Sequence, residues 1–226
     1  MGYAVLAFDA EDAGAAARRD AMRDRHRAVI SEWAAAGRLA FGVPLFTDAW
    51  KAMGSLMILD VPDRAGLDAY LAAEPFAREG VWQRITVHPF RIAPLPYQLL
   101  PRPGTPTSAN RTHTIAIAFD GGDAGADARR QAARAAHMEN VSPWATAGLL
   151  AIGGAILDRD ENRMIGSIAV TAHPDDAAAR AAWAEDPYVR DGVWRDVTLW
   201  GTRIAPLPYR ALPGTPGSAS GPSPLN

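Results

Sequence analysis

The chain repeats itself. Residues 8–26 (FDAEDAGAAARRDAMRDRH) lie over residues 119–137 (FDGGDAGADARRQAARAAH) at an offset of 111. The same offset pairs Trp33 with Trp144, Gly37 with Gly148 and Gly42 with Gly153. One residue is then inserted in the second copy. From there an offset of 112 pairs Gly54-Ser55 with Gly166-Ser167, Glu74-Pro75-Phe76 with Asp186-Pro187-Tyr188, and Gly80-Val81-Trp82 with Gly192-Val193-Trp194. It also lays RIAPLPY at 91–97 over the same seven residues at 203–209. A repeat this long restricts the chain to folds assembled from two similar units. The 226 residues divide into domains at 1–98 and 111–210. A Pro/Ser/Thr-rich segment, 99–110, reads as an extended linker between them. The tail, 211–226, has similar composition and is expected to be disordered or to lie on the surface.

Each copy shows the same order of periodicities. Tyr3–Phe8 and Thr112–Phe119 are short apolar runs that predict a first strand. A helix follows over Ala15–Ala36, with Gly37 at its C-terminal cap. Met22, His26, Val29, Ile30 and Trp33 recur at helical spacing on one face. In the second copy that face reads Ala133, His137, Asn140, Val141, Trp144, and Pro143 is expected to kink or break the helix. Two strands joined by a polar hairpin loop come next (Arg38–Leu45 and Ser55–Val61; Leu149–Leu157 and Gly166–Ala172). Pro62-Asp63 and Pro174-Asp175 open a second helix, which ends at Glu74-Pro75 or Asp186-Pro187. A last strand runs over Val81–Ile92 and Val193–Ile204. The class is α+β, and βαββαβ is the ferredoxin-like order, a four-stranded antiparallel sheet with both helices on one face. The other face stays apolar and has to be covered. Two tandem ferredoxin-like domains can cover each other, sheet against sheet, as a pseudo-dimeric α/β barrel.

Composition removes several kinds of chemistry. The chain contains no Cys, which excludes a disulfide scaffold, a thiolate nucleophile and Cys-ligated zinc or iron–sulfur sites. Its 23 basic and 25 acidic residues nearly balance. Neither the basic footprint of a nucleic-acid binder nor a polybasic membrane patch is present. No stretch approaches the length of a transmembrane helix, and the opening MGYAVLAFDAED lacks a signal-peptide pattern. The expected location is the cytoplasm. Gly121-Gly122 follows a strand and precedes a helix, but neither GxGxxG nor GxxxxGK[ST] is present. No HExxH or paired-His spacing occurs, so no metal and no cofactor are expected.

Several elements together resemble the YCII-related (YciI-like) domain family. They are the single His on the first helix (His26, His137), the segments GRLAFG (37–42) and GLLAIG (148–153), the acid-Pro-aromatic triplets EPF (74–76) and DPY (186–188), and GVW leading into the last strand. The resemblance covers about 90 residues of each copy. It implies the dimeric α/β barrel, with both halves here fused in one chain. It also implies a pocket between helices and sheet holding a His–acid pair proposed as catalytic. Carried over by position, the pair is His137 with Asp186 in the second copy and His26 with Glu74 in the first. Glu places its carboxylate about 1.5 Å beyond that of Asp, so the second copy is expected to hold the better-formed pair.

His titrates nearest physiological pH, and a carboxylate partner orients its ring and fixes its tautomer. Such a pair suits proton abstraction alpha to a carbonyl or assistance to an elimination. The bland alternative is a core His satisfied by backbone, with each acid-Pro serving only as a helix terminator. Phe76, Tyr188, Trp82 and Trp194 could line a pocket for a planar apolar ligand, or simply fill a core. Trp33 and Trp144, on the His-bearing helix face, are candidates weighted toward core. Gly42 and Gly153 leave room either for a ligand or for curvature of the sheet. His88 and His113 have no His counterpart in the other copy. The reading that follows is a cofactor-independent small-molecule enzyme of lyase, isomerase or cyclase type. It would act on a cyclic, partly apolar substrate through His–acid general acid/base chemistry. Two alternatives stand beside it: a non-catalytic ligand-binding or interaction module, and a cofactor-free oxygenase. The expected partner is a small-molecule substrate, with assembly beyond the intramolecular pseudo-dimer left open.

Overall fold

The computed structural model describes residues 2–47, 49–160 and 163–217. The first copy comprises β1 (Gly2–Asp9), α1 (Ala15–Ala35), β2 (Leu39–Phe46), β3 (Ala52–Leu59), α2 (Arg64–Ala73), α3 (Pro75–Arg78) and β4 (Trp82–Ile92). The second repeats the order: β5 (His113–Asp120), α4 (Ala126–Thr146), β6 (Leu150–Leu157), β7 (Met164–Thr171), α5 (Asp176–Ala184), α6 (Pro187–Arg190) and β8 (Trp194–Thr202). The expected βαββαβ order is present twice, with one addition. The acid-Pro-aromatic triplet does end the second helix, but it also starts a further single turn, α3 or α6. The one-residue insertion falls in the loop between β6 and β7.

Local chemistry sets the ends of these elements. Asp63 and Asp175 cap α2 and α5, accepting from the amides of Gly66 and Ala178 at 2.9 and 2.7 Å. Gly37 and Gly148 follow α1 and α4 with φ of 76° and 75°, the left-handed turn that favours glycine. The break expected at Pro143 does not occur, and α4 continues to Thr146. Pro143 lies in the last turn, where its missing N–H forfeits one hydrogen bond. Buried Val141 and Ala145 on either side hold that turn against the sheet.

All eight strands are antiparallel and close one barrel in the order β1-β3-β2-β8-β5-β7-β6-β4. Strand alternation divides the side chains between two layers. On β3, Leu56 and Ile58 join the apolar cluster that unites both copies, while Met57 and Leu59 join the one beneath α1 and α2. Two seams join the copies, and they are unequal. Along β4·β6, Phe90, Arg91 and Ile92 pair with Ile156, Ala155 and Gly154. Along β2·β8 only Phe46 pairs, with Gly201. Pro44 stands where the second copy has Ala155, and Pro has no N–H to offer a ladder. Its carbonyl instead accepts from the Thr202 hydroxyl at 2.6 Å. His88 and Trp200 occupy equivalent positions and pack edge-on against Phe119 and Phe8, each with its ring centroid 5.5 Å away.

The RIAPLPY segments lock the copies reciprocally. The Tyr97 hydroxyl donates to the Gly153 carbonyl at 2.9 Å and accepts from its amide at 3.1 Å. Tyr209 does the same at Gly42, at 2.9 and 3.2 Å. The two glycines thus receive a tyrosine from the opposite copy. The linker after Tyr97 is irregular, as expected for an extended connection. The expectation of a disordered tail fails for residues 211–217, where Leu212 and Thr215 are buried. Residues 218–226 lie outside the described residues. Among the described residues no helix is long and apolar enough to cross a membrane.

Two stability predictions follow from these contacts. Tyr97→Phe leaves the buried Gly153 amide and carbonyl without that partner and is expected to cost about 2 kcal/mol in denaturant unfolding. The second concerns acid. Burial, with the neighbouring His173, pushes His113 down to about 4. Between pH 6.5 and 4 the unfolded chain therefore binds more protons than the folded one, and stability falls as pH falls. The melting temperature should decline across that window, and His113→Gln should flatten the decline.

Candidate active site

Each His sits on the first helix of its copy with its ring nitrogen on a carboxylate. His26 Nδ1 lies 2.8 Å from Glu74 Oε1. His137 Nδ1 lies 2.9 and 3.0 Å from the two oxygens of Asp186. Both acids are fully buried. Each also caps the short helix that follows it, accepting from the Phe76 amide at 3.0 Å or the Tyr188 amide at 2.8 Å. The acid-Pro-aromatic triplet is therefore at once a helix start and a histidine clamp. The aromatic of the triplet stacks on the imidazole: Phe76 on His26 at 4.0 Å and Tyr188 on His137 at 3.8 Å, both within 8° of parallel.

The longer side chain of Glu74 does not spoil the first pair, contrary to the sequence-based expectation. Each acid has a second partner matched to its reach. The Tyr70 hydroxyl donates to Glu74 Oε2 at 3.1 Å, and Asn140 Nδ2 donates to Asp186 Oδ2 at 2.8 Å. The positions equivalent to Tyr70 and Asn140 in the other copy hold Ala182 and Val29. Acid and anchor therefore differ together between the copies. Burial and the Glu74 carboxylate together push the Tyr70 phenol well above its usual range, keeping it a neutral donor.

With Nδ1 engaged, Nε2 of each imidazole makes no hydrogen bond to the described residues. His26 and His137 each line a cavity between helix and sheet, roofed by the RIAPLPY segment of the other copy. The first-copy cavity measures about 690 Å³. The second measures about 90 Å³. Of the proposed aromatics, Phe76 lines the first cavity, and Tyr188 and Trp194 line the second. The Tyr188 hydroxyl has no hydrogen-bond partner among the described residues. Trp82 lies behind His26 and Phe76, edge-on to both. Trp33 and Trp144 line neither cavity. Trp33 is buried against Tyr70 under the Arg38 guanidinium, and Trp144 packs against Trp183.

The sequence reading missed two arginines one helical stretch before the histidines. Arg19 donates to Asp9 at 2.7 Å, to the Gly54 carbonyl and to Ser55, and lies over the Phe76 ring. Arg130 donates to Asp120 at 2.8 Å and to Ser167, and lies over Tyr188. Burial raises Asp9 and Asp120 more than the arginines lower them. The ARR triplets at 17–19 and 128–130 carried the signal, because a buried ion pair was repeated at the first offset. Among the described residues no group of three or more His, Asp or Glu is placed to hold a metal ion.

This fold and paired site carry a family signature. The YCII-related domain profile matches residues 1–91 and again 114–203, and the chain belongs to that family. No curated protein matches the chain significantly. Among solved structures, a putative monooxygenase from Lactobacillus acidophilus NCFM is 13% identical. The alignment covers 90% of this chain and 92% of that one, with a TM-score of 0.55. Chlorite dismutase from Candidatus Nitrospira defluvii is likewise 13% identical over 90% and 91% of the chains, with a TM-score of 0.55. At such identity these establish the shared barrel and nothing of its chemistry.

Removing one member of a buried ion pair tests how the site is supported. Arg130→Met leaves Asp120 unpaired beneath the cavity and is expected to cost about 3 kcal/mol. Adding Asp120→Leu should recover most of that loss in urea unfolding.

Proposed function

We propose that the chain is a cofactor-independent small-molecule enzyme of lyase, isomerase or cyclase type. A His–carboxylate pair would supply general acid/base catalysis on a cyclic, partly apolar substrate. The observation that carries this reading is the state of the two imidazoles. Nδ1 is held by a buried carboxylate, the ring is fixed by a stacked aromatic, and Nε2 is unbonded beside a cavity. A His that served only to fill a core would have no cavity beside its second nitrogen.

The chemistry follows from that placement. The carboxylate accepts a hydrogen bond from Nδ1–H, so the neutral ring carries its lone pair on Nε2. Nε2 removes a proton from a substrate carbon or hydroxyl. The carboxylate then stabilises the imidazolium, which returns the proton to a different atom or to a leaving group. The stacked aromatic prevents the ring from turning away. The Arg19 or Arg130 guanidinium packs on that aromatic as well.

Turnover by His26→Gln, His137→Gln and the double variant, on a panel of hydroxylated aromatics and enolisable cyclic ketones, tests the proposal. Loss of the base should lower kcat by about 100-fold or more, with the melting temperature retained. Solvent deuterium should enter the substrate carbon with the parent chain and not with the double variant. Full turnover by the double variant would sink the acid–base reading and leave a ligand-binding module.

A further inference from the structure

The two cavities share an ancestry in sequence and a lining with arginines and without Asp or Glu, but differ in room. None of the residues lining the first is Asp or Glu, and four are Arg: Arg19, Arg23, Arg27 and Arg203. Their charges are not equally available. Arg19 is spent on Asp9, and Arg23 pairs with Asp20 on the same helix. Arg27 has no carboxylate partner among the described residues, nor does Arg203. Arg203 comes from the opposite copy and is held in place from two sides. Its Nη1 donates to the linker carbonyls of Ser108 and Ala109 at 2.9 and 3.0 Å, and its guanidinium lies 5.5 Å over the Phe46 ring. Phe46 is stacked in turn on Trp50, whose indole donates to the Ala109 carbonyl at 2.8 Å. A guanidinium has five N–H donors, so Nε and Nη2 of Arg203 remain for a ligand. The walls between the arginines are apolar, formed by Ile30, Val43, Met57, Phe76 and Leu207.

The second cavity keeps arginines in its lining, Arg91, Arg130 and Arg134, but has lost the room. Met138 stands in place of Arg27, Met164 in place of Ala52 and Trp183 in place of Leu71. Arg91, the counterpart of Arg203, also lines its cavity, but it is paired into the β4·β6 seam. About 90 Å³ admits a few waters. About 690 Å³ lies within the range of small-molecule sites.

We infer that the first-copy cavity takes a cyclic organic anion, one per chain, with Arg203 of the second copy and Arg27, which follows His26 on α1, supplying the counter-charge. The inference rests on the acid–base reading of His26 and names its substrate class: a ring bearing a carboxylate or phenolate. An anionic group anchored on Arg203 turns the apolar ring against the Phe76 wall, on the side where Nε2 is unbonded. The second copy completes the site by lending Arg203 and the roof, and needs no ligand of its own.

Calorimetric titration of the full chain with benzoate, salicylate and 2,5-dihydroxybenzoate, each beside its neutral amide, tests this directly. The expected result is one acid bound per chain, with the amide weaker by about tenfold or more, the scale of a charge-assisted hydrogen bond. Arg203→Gln should weaken the acid by a similar factor. Because Arg203 also holds the linker, Arg27→Met supplies a second variant, at a side chain with no hydrogen bond or ion pair to the described residues, and reproduces the second copy's residue. Arg64→Gln, on the outer face of α2, should leave the affinity unchanged. Two acids per chain, equal affinity for acid and amide, unchanged affinity in both arginine variants, or binding of none of the three acids would each overturn the inference. His26→Gln separates this inference from the proposed function. A variant that still binds the acid one to one while turnover persists refutes the proton-transfer role and leaves the anion site standing. Lost charge preference with His26-dependent turnover does the reverse.

Discussion

Burial of two apolar sheet faces against each other is the constraint from which the rest of this structure follows. Each copy builds helices on one side of its sheet only, and the uncovered side carries Phe41, Val43, Leu56 and Ile58 in the first copy and Ile115, Ile117, Ile152 and Ile168 in the second. Neither face could remain in water without exposing a large continuous apolar patch. Closure of the barrel removes both faces from solvent and most free strand edges with them. It also brings each copy's RIAPLPY segment over the helix side of the other, where the tyrosines dock on backbone. The site roof is thus a by-product of covering the sheets.

That arrangement explains why the histidine site tolerates change. The imidazole is fixed by two contacts, a carboxylate and a stacked ring, and an arginine packs on that ring in turn. Replacing Asp by Glu moves the carboxylate, but a donor reaching from a different helix restores its second hydrogen bond. Tyr70 approaches from α2 in one copy, and Asn140 from α4 in the other. The same His–acid distance is reached with different residues, because geometry at Nδ1 is what the packing enforces.

Much of this was legible in the residues, for identifiable reasons. The repeat fixed the domain count, and alternation on the strands fixed which face needed a partner. The His–acid pairs were visible because both members recurred at matching offsets. Compensation by Tyr70 and Asn140 was hidden, since neither residue is repeated and Asn140 reaches its acid from a different helix. Trp33 and Trp144, already weighted toward core, sit two turns beyond the histidines on the same helix face and line neither cavity. Pro143 misled because its effect depends on position, and a last turn loses one bond rather than a helix. Burial of Leu212 escaped notice because a Pro/Gly/Ser-rich composition hides a single anchoring side chain.

Fusion of the halves has one further consequence. A symmetric homodimer must use the same residues at both of its seams, so a proline at one would weaken both. In a single chain the seams are free to differ, and Pro44 weakens only the junction of β2 with β8. Pro44 also lines the larger cavity. The barrel therefore has a strong seam and a weak one. β4·β6 stays laced by three residue pairs, while the line held by one pair and a threonine hydroxyl runs along the wall of the cationic pocket. The wall of the larger cavity thus includes a residue of the barrel's weaker seam.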